Sequence, residues 1–127
     1  MRDVTWAGPL RKAAEASGVT VDVRALDVTD EHQAADLVAA LGQVDVLVNN
    51  AGRGSVATLE QMSTDDLRAQ LEINYIAVAS LTRLVLPAMR RAGSGRVVTV
   101  TSVGGTVGQP FADAYCGAKF AVEGLMQ

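Results

Sequence analysis

Short apolar segments alternate with helical patterns along this chain of 127 residues, and the alternation constrains the fold more than any other feature. Three segments have the β-branched and aliphatic density of strands. Strands separated by helices form a parallel sheet, and strands without a polar face are typical of a sheet covered on both sides. The sequence therefore predicts an α/β fold, with a parallel sheet and helices on both faces. The predicted strands cover residues 19–28, 44–49 and 97–101.

Capping residues and helix breakers mark the helices. Asp30 is a good N-cap, and Gln33 three positions later completes a capping box. Pro87 lies inside a long helical pattern, where it should kink or end the helix because it has no backbone N–H. The predicted helices cover residues 9–17, 30–41 and 63 onward, and a last one begins near residue 113.

Composition limits the possible partners. The chain is 49% hydrophobic and only 4% aromatic, which predicts one domain, residues 1–127, with an aliphatic core. A net charge of −3 argues against nucleic acid or an anionic membrane as the main partner. No apolar run approaches the roughly 18 residues that predict a membrane span, and the first residues are too polar for a secretory signal. The lone Cys116 is compatible with a reducing compartment, so we expect a cytoplasmic protein.

Polar and small residues follow the ends of the predicted strands. Asp27 and Val28 end the first, the run Asn49-Asn50-Ala51-Gly52 ends the second, and Ser102 follows the third. Ligands of open parallel sheets bind beyond the carboxyl ends of the strands, so these residues are candidates for one binding site. Simpler roles remain open, since Asp27 and Gly52 also suit ordinary turns.

Tyr115 and Lys119 are four residues apart in a helical pattern, which predicts that they share one helix face. A phenol is a poor base at neutral pH, but a nearby fixed positive charge favours the phenolate. With the hydroxyl of Ser102, the pair would form a site that moves a proton to or from a substrate oxygen. The alternative is an ordinary helix surface, with one buried ring and one solvated amine. Tyr75 has no such partner, because Ala79 follows it at the same spacing.

Asn74 lies inside the long helical pattern, where its short amide competes for backbone hydrogen bonds. It is a candidate either for the site or for a buried structural role.

These residues together resemble the short-chain dehydrogenase/reductase family, and the resemblance extends along the whole chain. It is carried by Asn49-Asn50-Ala51-Gly52, Asn74, Ser102 and Tyr115-x-x-x-Lys119, in this order and spacing. Residues 93–125 resemble most closely the estradiol 17β-dehydrogenase and retinol dehydrogenase branch. The resemblance implies a Rossmann-like, doubly wound sheet and hydride transfer between NAD(P)(H) and an alcohol or carbonyl carbon.

The resemblance also implies a role for each catalytic candidate. Tyr115 would be the acid/base, and Lys119 would favour its phenolate and hydrogen-bond the nicotinamide ribose. Ser102 would orient the substrate oxygen. Asn74 would hold a water in a proton relay behind Lys119.

The cofactor would be NADP(H) or NAD(H), and Arg2 favours NADP(H) because an arginine at this place in the family often binds the 2′-phosphate. Asp27 and Val28 would contact the adenine. The residues expected along the cofactor's ribose are Asn50, Ala51 and Gly52, together with Tyr115 and Lys119.

The sequence also departs from the family pattern. No glycine-rich turn of the type Thr-Gly-x-x-x-Gly-x-Gly is present, so the chain would be an incomplete fold with strands 3, 4 and 5 of the order 3-2-1-4-5-6. Residues 19–28 would then leave a gap, or pair directly with residues 44–49. We expect such a fragment to bind dinucleotide poorly and to turn over little or no substrate. A nucleotide-binding protein without catalysis and an inert truncated product are the alternatives.

Substrate and assembly are only broadly defined. Gln109, Pro110 and Phe111 suggest a lipophilic alcohol or ketone, and steroid, retinoid, fatty and small alcohols are all compatible. Residues 76–89 are apolar on nearly all sides, which is typical of a helix buried all round. A second copy of the protein, in a homo-oligomer, or further segments of the same chain would cover that helix.

Overall fold

A computed structural model describes all residues of the chain, 1–127. It contains two β-strands and five α-helices, joined by short 3-10 turns and one π-helical turn. Each predicted helix is present. The helices are α1 (Gly8–Ala16), α2 (Glu31–Leu41), α3 (Thr64–Leu71), α4 (Ala77–Ala92) and α5 (Asp113–Met126). The strands are β1 (Val46–Asn49) and β2 (Arg96–Thr99), and the π-helical turn (Glu72–Ile76) joins α3 to α4.

The two strands form a parallel sheet, as the alternation of strands and helices predicted. Val46 pairs with Arg96 at one end of the ladder, and Asn49 pairs with Thr99 at the other. The connection between them is α3, the π-helical turn and α4, which is the crossover that parallel strands require. Asn49 links the layers, since its Nδ2 donates to the hydroxyls of Thr82 on α4 and Thr99 on β2 at 3.2 and 3.3 Å.

The predicted strand at residues 19–28 is wrong, because this segment forms no strand ladder. In this segment Val19 N donates to Ala14 O at 2.9 Å and Leu26 N to Met1 O at 3.1 Å. A β-branched sequence favours extended backbone, but a strand also needs a neighbour to satisfy its N–H and C=O groups. The only neighbour bonded to the middle of this segment is Met1, which bonds to Arg24 O and Leu26 N, and one residue does not form a strand ladder.

A gap therefore separates residues 19–28 from β1, which was one of the two expected arrangements. The gap is a cavity of about 280 Å³ with an almost wholly aliphatic lining. We call it the apolar cavity. Its lining includes Leu26 and Val28 on one side, Val46 and Val48 of β1 on the other, and Asn50 and Ala51 after the strand.

Helices cover one face of the sheet rather than both. Side chains alternate between the two faces along a strand, so Leu47 and Asn49 of β1 lie on the same face. This face meets α4, where Asn49 bonds to Thr82. The opposite face carries Val46 and Val48, which are 53% and 56% exposed. Both faces of the sheet are therefore apolar, but only one of them is buried.

Asp30 is the N-cap of α2 as predicted, but Gln33 does not complete the predicted capping box, because its Oε1 accepts from Asp27 N and its Nε2 donates to Asp30 Oδ2. Asp30 accepts hydrogen bonds from the backbone N–H groups of His32 and Gln33 at the start of α2. Ser63 and Asp66 form a reciprocal capping box at the start of α3.

Pro87 does not end the long helix, because α4 continues through it to Ala92. The missing N–H would have bonded to the carbonyl of Arg83. Both residues are solvent-exposed, so water can reach that carbonyl and the cost of the lost bond is reduced. Gly93, with φ of +65°, caps the helix instead.

The continuous helical segment from Thr64 to Ala92 meets the length and hydropathy criterion for a membrane span, with a mean hydropathy of 1.2. The apolar runs of the sequence did not predict such a helix. Core helices of water-soluble proteins meet the same criterion, and this segment packs on α2, α5 and β1.

One side of α4 remains exposed, in contrast to the expectation of burial all round. Ala77, Val78, Val85 and Met89 are buried, whereas Leu86 is 41% exposed. A groove of about 650 Å³ runs between this exposed side and the end of α5. The homo-oligomer remains a prediction.

Candidate active site

A π-helical turn positions Asn74. In this turn the N–H of Ala77 donates to the carbonyl of Glu72, five residues earlier, so the helix is locally wider than an α-helix. Asn74 is fully buried there. Its side chain reaches the loop after β1, where Oδ1 accepts from Arg53 N at 3.2 Å and Nδ2 donates to Arg53 O at 2.9 Å. The amide therefore has specific partners, which explains how a mid-helix asparagine is tolerated.

Tyr115 and Lys119 lie one turn apart on α5, as their spacing predicted. Lys119 is 6% exposed, and its Nζ donates to the carbonyl oxygen of Val100 at 3.1 Å. The same Nζ lies 5.9 Å from the centre of the half-buried Tyr115 ring. The ammonium thus stands beside the phenol at the end of β2.

A cleft of about 220 Å³ opens where these elements meet, beyond the carboxyl ends of both strands. We call it the polar cleft. Asn50 and Gly52 line it from the loop after β1, Asn74 from the π-helical turn, and Tyr115 and Lys119 from α5. Five predicted site residues, far apart in sequence, therefore share one space.

Four lining residues were not anticipated. Val100 and Thr101 directly follow β2, so the rule that ligands bind beyond strand ends could have included them. Arg53 and Gly54 follow the Asn-Asn-Ala-Gly run, and no sequence signal marked them. Arg53 in particular is held through its backbone, which any residue type except proline would provide.

Ser102 lies beside the polar cleft and is not part of its lining. Its Oγ accepts a hydrogen bond from Gly104 N at 3.1 Å and so caps the short turn that follows β2. The hydroxyl proton remains available for donation. The turn is packed closely on α5, since a Cβ on Gly104 would lie 3.3 Å from Cε1 of Tyr115.

Gly52 provides space at the centre of the polar cleft. A Cβ at this position would lie 2.9 Å from Oδ1 of Asn74 and 3.7 Å from Nζ of Lys119. The first distance is shorter than a van der Waals contact. Glycine therefore allows the backbone to approach both side chains.

The predicted adenine and ribose residues lie around two separate spaces. Val28, Asn50 and Ala51 line the apolar cavity, and Asn50 lines the polar cleft as well. Asn50 thus borders both spaces. No group of three or more His, Cys, Asp or Glu residues is arranged to hold a metal ion.

Asp27 forms a local turn. Its carboxylate accepts from the Thr29 hydroxyl at 2.7 Å and from Thr29 N at 3.0 Å. These bonds, the hydroxyl first, lower the pKa of Asp27, and the positive charge of Arg2 lowers the pKa further. Arg2 therefore lies near enough to Asp27 to act on it electrostatically.

The sequence matches the profile of the short chain dehydrogenase family over residues 6–127. The chain belongs to this family.

Individual relatives agree with this assignment. Over its full length the chain is 41% identical to estradiol 17-beta-dehydrogenase 1 of Rattus norvegicus, of which it covers 38%. It is 40% identical to retinol dehydrogenase 8 of Bos taurus, of which it covers 42%. The chain thus spans about two fifths of the length of these curated relatives.

The fold is also shared with solved structures. A metagenomic short-chain oxidoreductase in complex with NADP has a TM-score of 0.91 and 30% identity, with 99% of this chain and 58% of that chain covered. The Rossmann-like α/β fold predicted from the sequence is confirmed by this similarity.

Proposed function

We propose that these residues form the proton-transfer part of an oxidoreductase site, which transfers hydride between NAD(P)(H) and an alcohol or carbonyl carbon. The observation that carries the proposal is the meeting of Asn74, Tyr115 and Lys119 around the polar cleft, to which the π-helical turn brings the first side chain and α5 the other two. Family membership supports it, as do the names of relatives that are dehydrogenases.

Tyr115 is the proton donor to a carbonyl oxygen in the reductive direction and the acceptor of the alcohol proton in reverse. The ammonium of Lys119, 5.9 Å from the ring centre, lies close enough to attract the negative charge that develops on the phenol oxygen as the proton leaves. Ser102 donates its hydroxyl proton to the same substrate oxygen, since the bond that its Oγ accepts from Gly104 N leaves that proton free. Asn74 holds a water behind Lys119 through its amide oxygen.

The residues of the polar cleft and the apolar cavity fit a dinucleotide. Gly52 leaves room for a flat group over the backbone, and Lys119 provides a donor for a ribose hydroxyl. Val28 and Ala51 offer an apolar surface to an adenine ring, and Asn50 borders both the apolar cavity and the polar cleft. When bound, NAD(P)(H) supplies or accepts the hydride.

NADP(H) is the preferred cofactor in this proposal. The positive charge of Arg2 acts on Asp27, a predicted adenine contact, and its guanidinium is suited to a 2′-phosphate. In a chimera in which residues 1–127 replace the aligned segment of rat estradiol 17-beta-dehydrogenase 1, calorimetry should then find that Arg2→Ala weakens NADPH binding and leaves NADH binding unchanged. Equal losses for both cofactors would contradict this preference.

The substrate is a lipophilic alcohol or ketone. Its contacts would include Gln109, Pro110 and Phe111, and the exposed Phe111 ring offers apolar surface beside α5. The relatives named as estradiol and retinol dehydrogenases support this class.

The same chimera tests the chemistry directly. In it, the rat enzyme supplies the length that this chain does not cover. We expect the chimera to oxidise estradiol with NADP⁺. Tyr115→Phe should then lose nearly all turnover, with cofactor binding close to that of the unsubstituted chimera, whereas Lys119→Ala should weaken both.

Tyr75→Phe is the matched control, because Tyr75 has no lysine one turn later and does not line the polar cleft. Circular dichroism would establish that each chimera is folded. Turnover by Tyr115→Phe at the unsubstituted rate would refute the proposed mechanism.

A further inference from the structure

A buried glutamine lies directly behind the polar cleft. Gln70, in the last turn of α3, is 1% exposed and belongs to the largest fully buried side chains of the protein. It does not line the polar cleft, and its only side-chain partner is Asn74, one helical turn later. A long polar side chain is seldom buried this completely without a specific partner.

Gln70 contributes two of the three acceptors around the amide nitrogen of Asn74. Nδ2 lies 3.1 Å from Gln70 O, 3.1 Å from Gln70 Oε1 and 2.9 Å from Arg53 O. An amide nitrogen has two N–H groups, so both are satisfied. If the Asn74 amide were flipped, its oxygen would face these three acceptor oxygens and its NH₂ group would face the N–H of Arg53.

The fixed nitrogen determines where the oxygen points. Oδ1 of Asn74 accepts from Arg53 N and lies 2.9 Å from the point that a Cβ of Gly52 would occupy. Nζ of Lys119 lies 3.7 Å from that same point. The sum of these two distances limits the separation of Oδ1 from Nζ to 6.6 Å, and one water can bridge that space.

We infer that Gln70 is a positioning residue, which holds the Asn74 amide with its oxygen toward Lys119 and the polar cleft. The inference rests on the proposed function, because it assigns Gln70 a part in the same proton transfer. Gln70 acts only through Asn74. Its Oε1 adds a third oxygen that disfavours the flipped amide, beside the backbone oxygens of Gln70 and Arg53.

Nuclear magnetic resonance of the 127-residue protein tests the orientation without any assay of activity. In the wild-type protein, the side-chain amide protons of Asn74 should be shifted downfield and exchange slowly with solvent. Gln70→Met removes the acceptor at similar volume, so these protons should move upfield and exchange at least several-fold faster. Gln70→Glu keeps an acceptor oxygen and should preserve the wild-type pattern.

Ala69→Met is the matched control, because it adds the same side chain at an exposed neighbouring position on α3. If Gln70→Met does not fold, Gln70→Asn takes its place in the comparison. Its side chain is one methylene shorter, which withdraws the amide from Asn74. Asn74 amide protons that exchange rapidly in the wild-type protein, or that do not respond to loss of the Gln70 acceptor, would overturn the inference.

The chimera separates this inference from the proposed function. We expect Gln70→Met to lower kcat several-fold at unchanged KM, and Gln70→Glu to restore it. An unchanged kcat in Gln70→Met, with turnover abolished by Tyr115→Phe, would refute the role of Gln70 and leave the proposed function intact. Full turnover by Tyr115→Phe would refute the proposed function, and the amide resonances would still report on the orientation of Asn74.

Discussion

The ammonium of Lys119 donates a hydrogen bond to the carbonyl oxygen of Val100 at 3.1 Å, and so joins the middle of α5 to the residue after β2. This bond places a buried cation at the end of the sheet, beside Tyr115. Only one protein acceptor serves the three N–H groups of this ammonium. A buried charge with so few hydrogen-bond partners suits a role in chemistry better than a role in stabilising the fold.

Replacement of Lys119 should distinguish its packing from its charge. We expect Lys119→Met to change the free energy of unfolding by less than about 1 kcal/mol, because the lost hydrogen bond is offset by removal of a poorly solvated charge. Lys119→Ala also removes the buried stem and should lower the free energy of unfolding by about 2 kcal/mol. Urea unfolding measures both. Equal losses in the two variants would mean that the ammonium bond itself dominates.

Gly52→Ala should disturb the polar cleft. The added Cβ would meet Oδ1 of Asn74 at 2.9 Å, which forces the loop or the amide to move and should cost about 1–2 kcal/mol of stability. Gly54→Ala is the control, because a Cβ there meets nothing within 4 Å. Thermal unfolding should therefore show a lower Tm for the first variant and an unchanged or slightly higher Tm for the second. A similar decrease in both would show that steric contact with Asn74 is not the cause.

Pro87→Ala should stabilise the protein. Alanine restores the N–H that can bond to the carbonyl of Arg83 and has a much higher helix propensity, so the free energy of unfolding should rise by about 1 kcal/mol or more. The control is Arg90→Ala, an exposed position on the same helix. Chemical denaturation would measure the difference. Loss of stability in Pro87→Ala would show that the proline ring makes packing contacts that outweigh the missing bond.

Acid should weaken the capping box of α3. Bonds from the hydroxyl and backbone N–H of Ser63 lower the pKa of Asp66 below its ordinary value of 3.8. Because the folded-state pKa is the lower one, the carboxylate stabilises the folded state above about pH 3.8, and this contribution is lost as the pH falls through the folded-state value. The stability advantage of the wild-type protein over Asp66→Asn should therefore be present at pH 5 and smaller at pH 3.

Asp36→Asn provides the comparison for acid unfolding, since the exposed Asp36 carboxylate makes no hydrogen bond in the structure. Thermal melts across the pH range would measure each variant against the wild-type protein. A difference between wild type and Asp66→Asn that stays constant from pH 5 to pH 3 would contradict the assigned role of the Asp66 carboxylate.

Helix ends were predictable because they depend on neighbours in sequence. Asp30 and Ser63 cap the helices for which they were proposed, and each bonds to backbone within three residues. Pro87 did not end the helix, because a proline's effect also depends on whether water can reach the carbonyl that it leaves free, and that is decided by which side of α4 is exposed. The π-helical turn around Asn74 had no local signal either.

The sequence by itself determined the helices, the α/β alternation and the spacing that brings Tyr115 and Lys119 to one helix face, since these depend on hydrogen bonds and side chains within a few residues. Only the tertiary structure decided that residues 19–28 stay unpaired, that Asn74 binds the backbone of Arg53, and that Gln70 lies behind both. The physical reason is that strand pairing and buried amide contacts need partners from distant parts of the chain. Their formation therefore depends on which partners packing brings within reach.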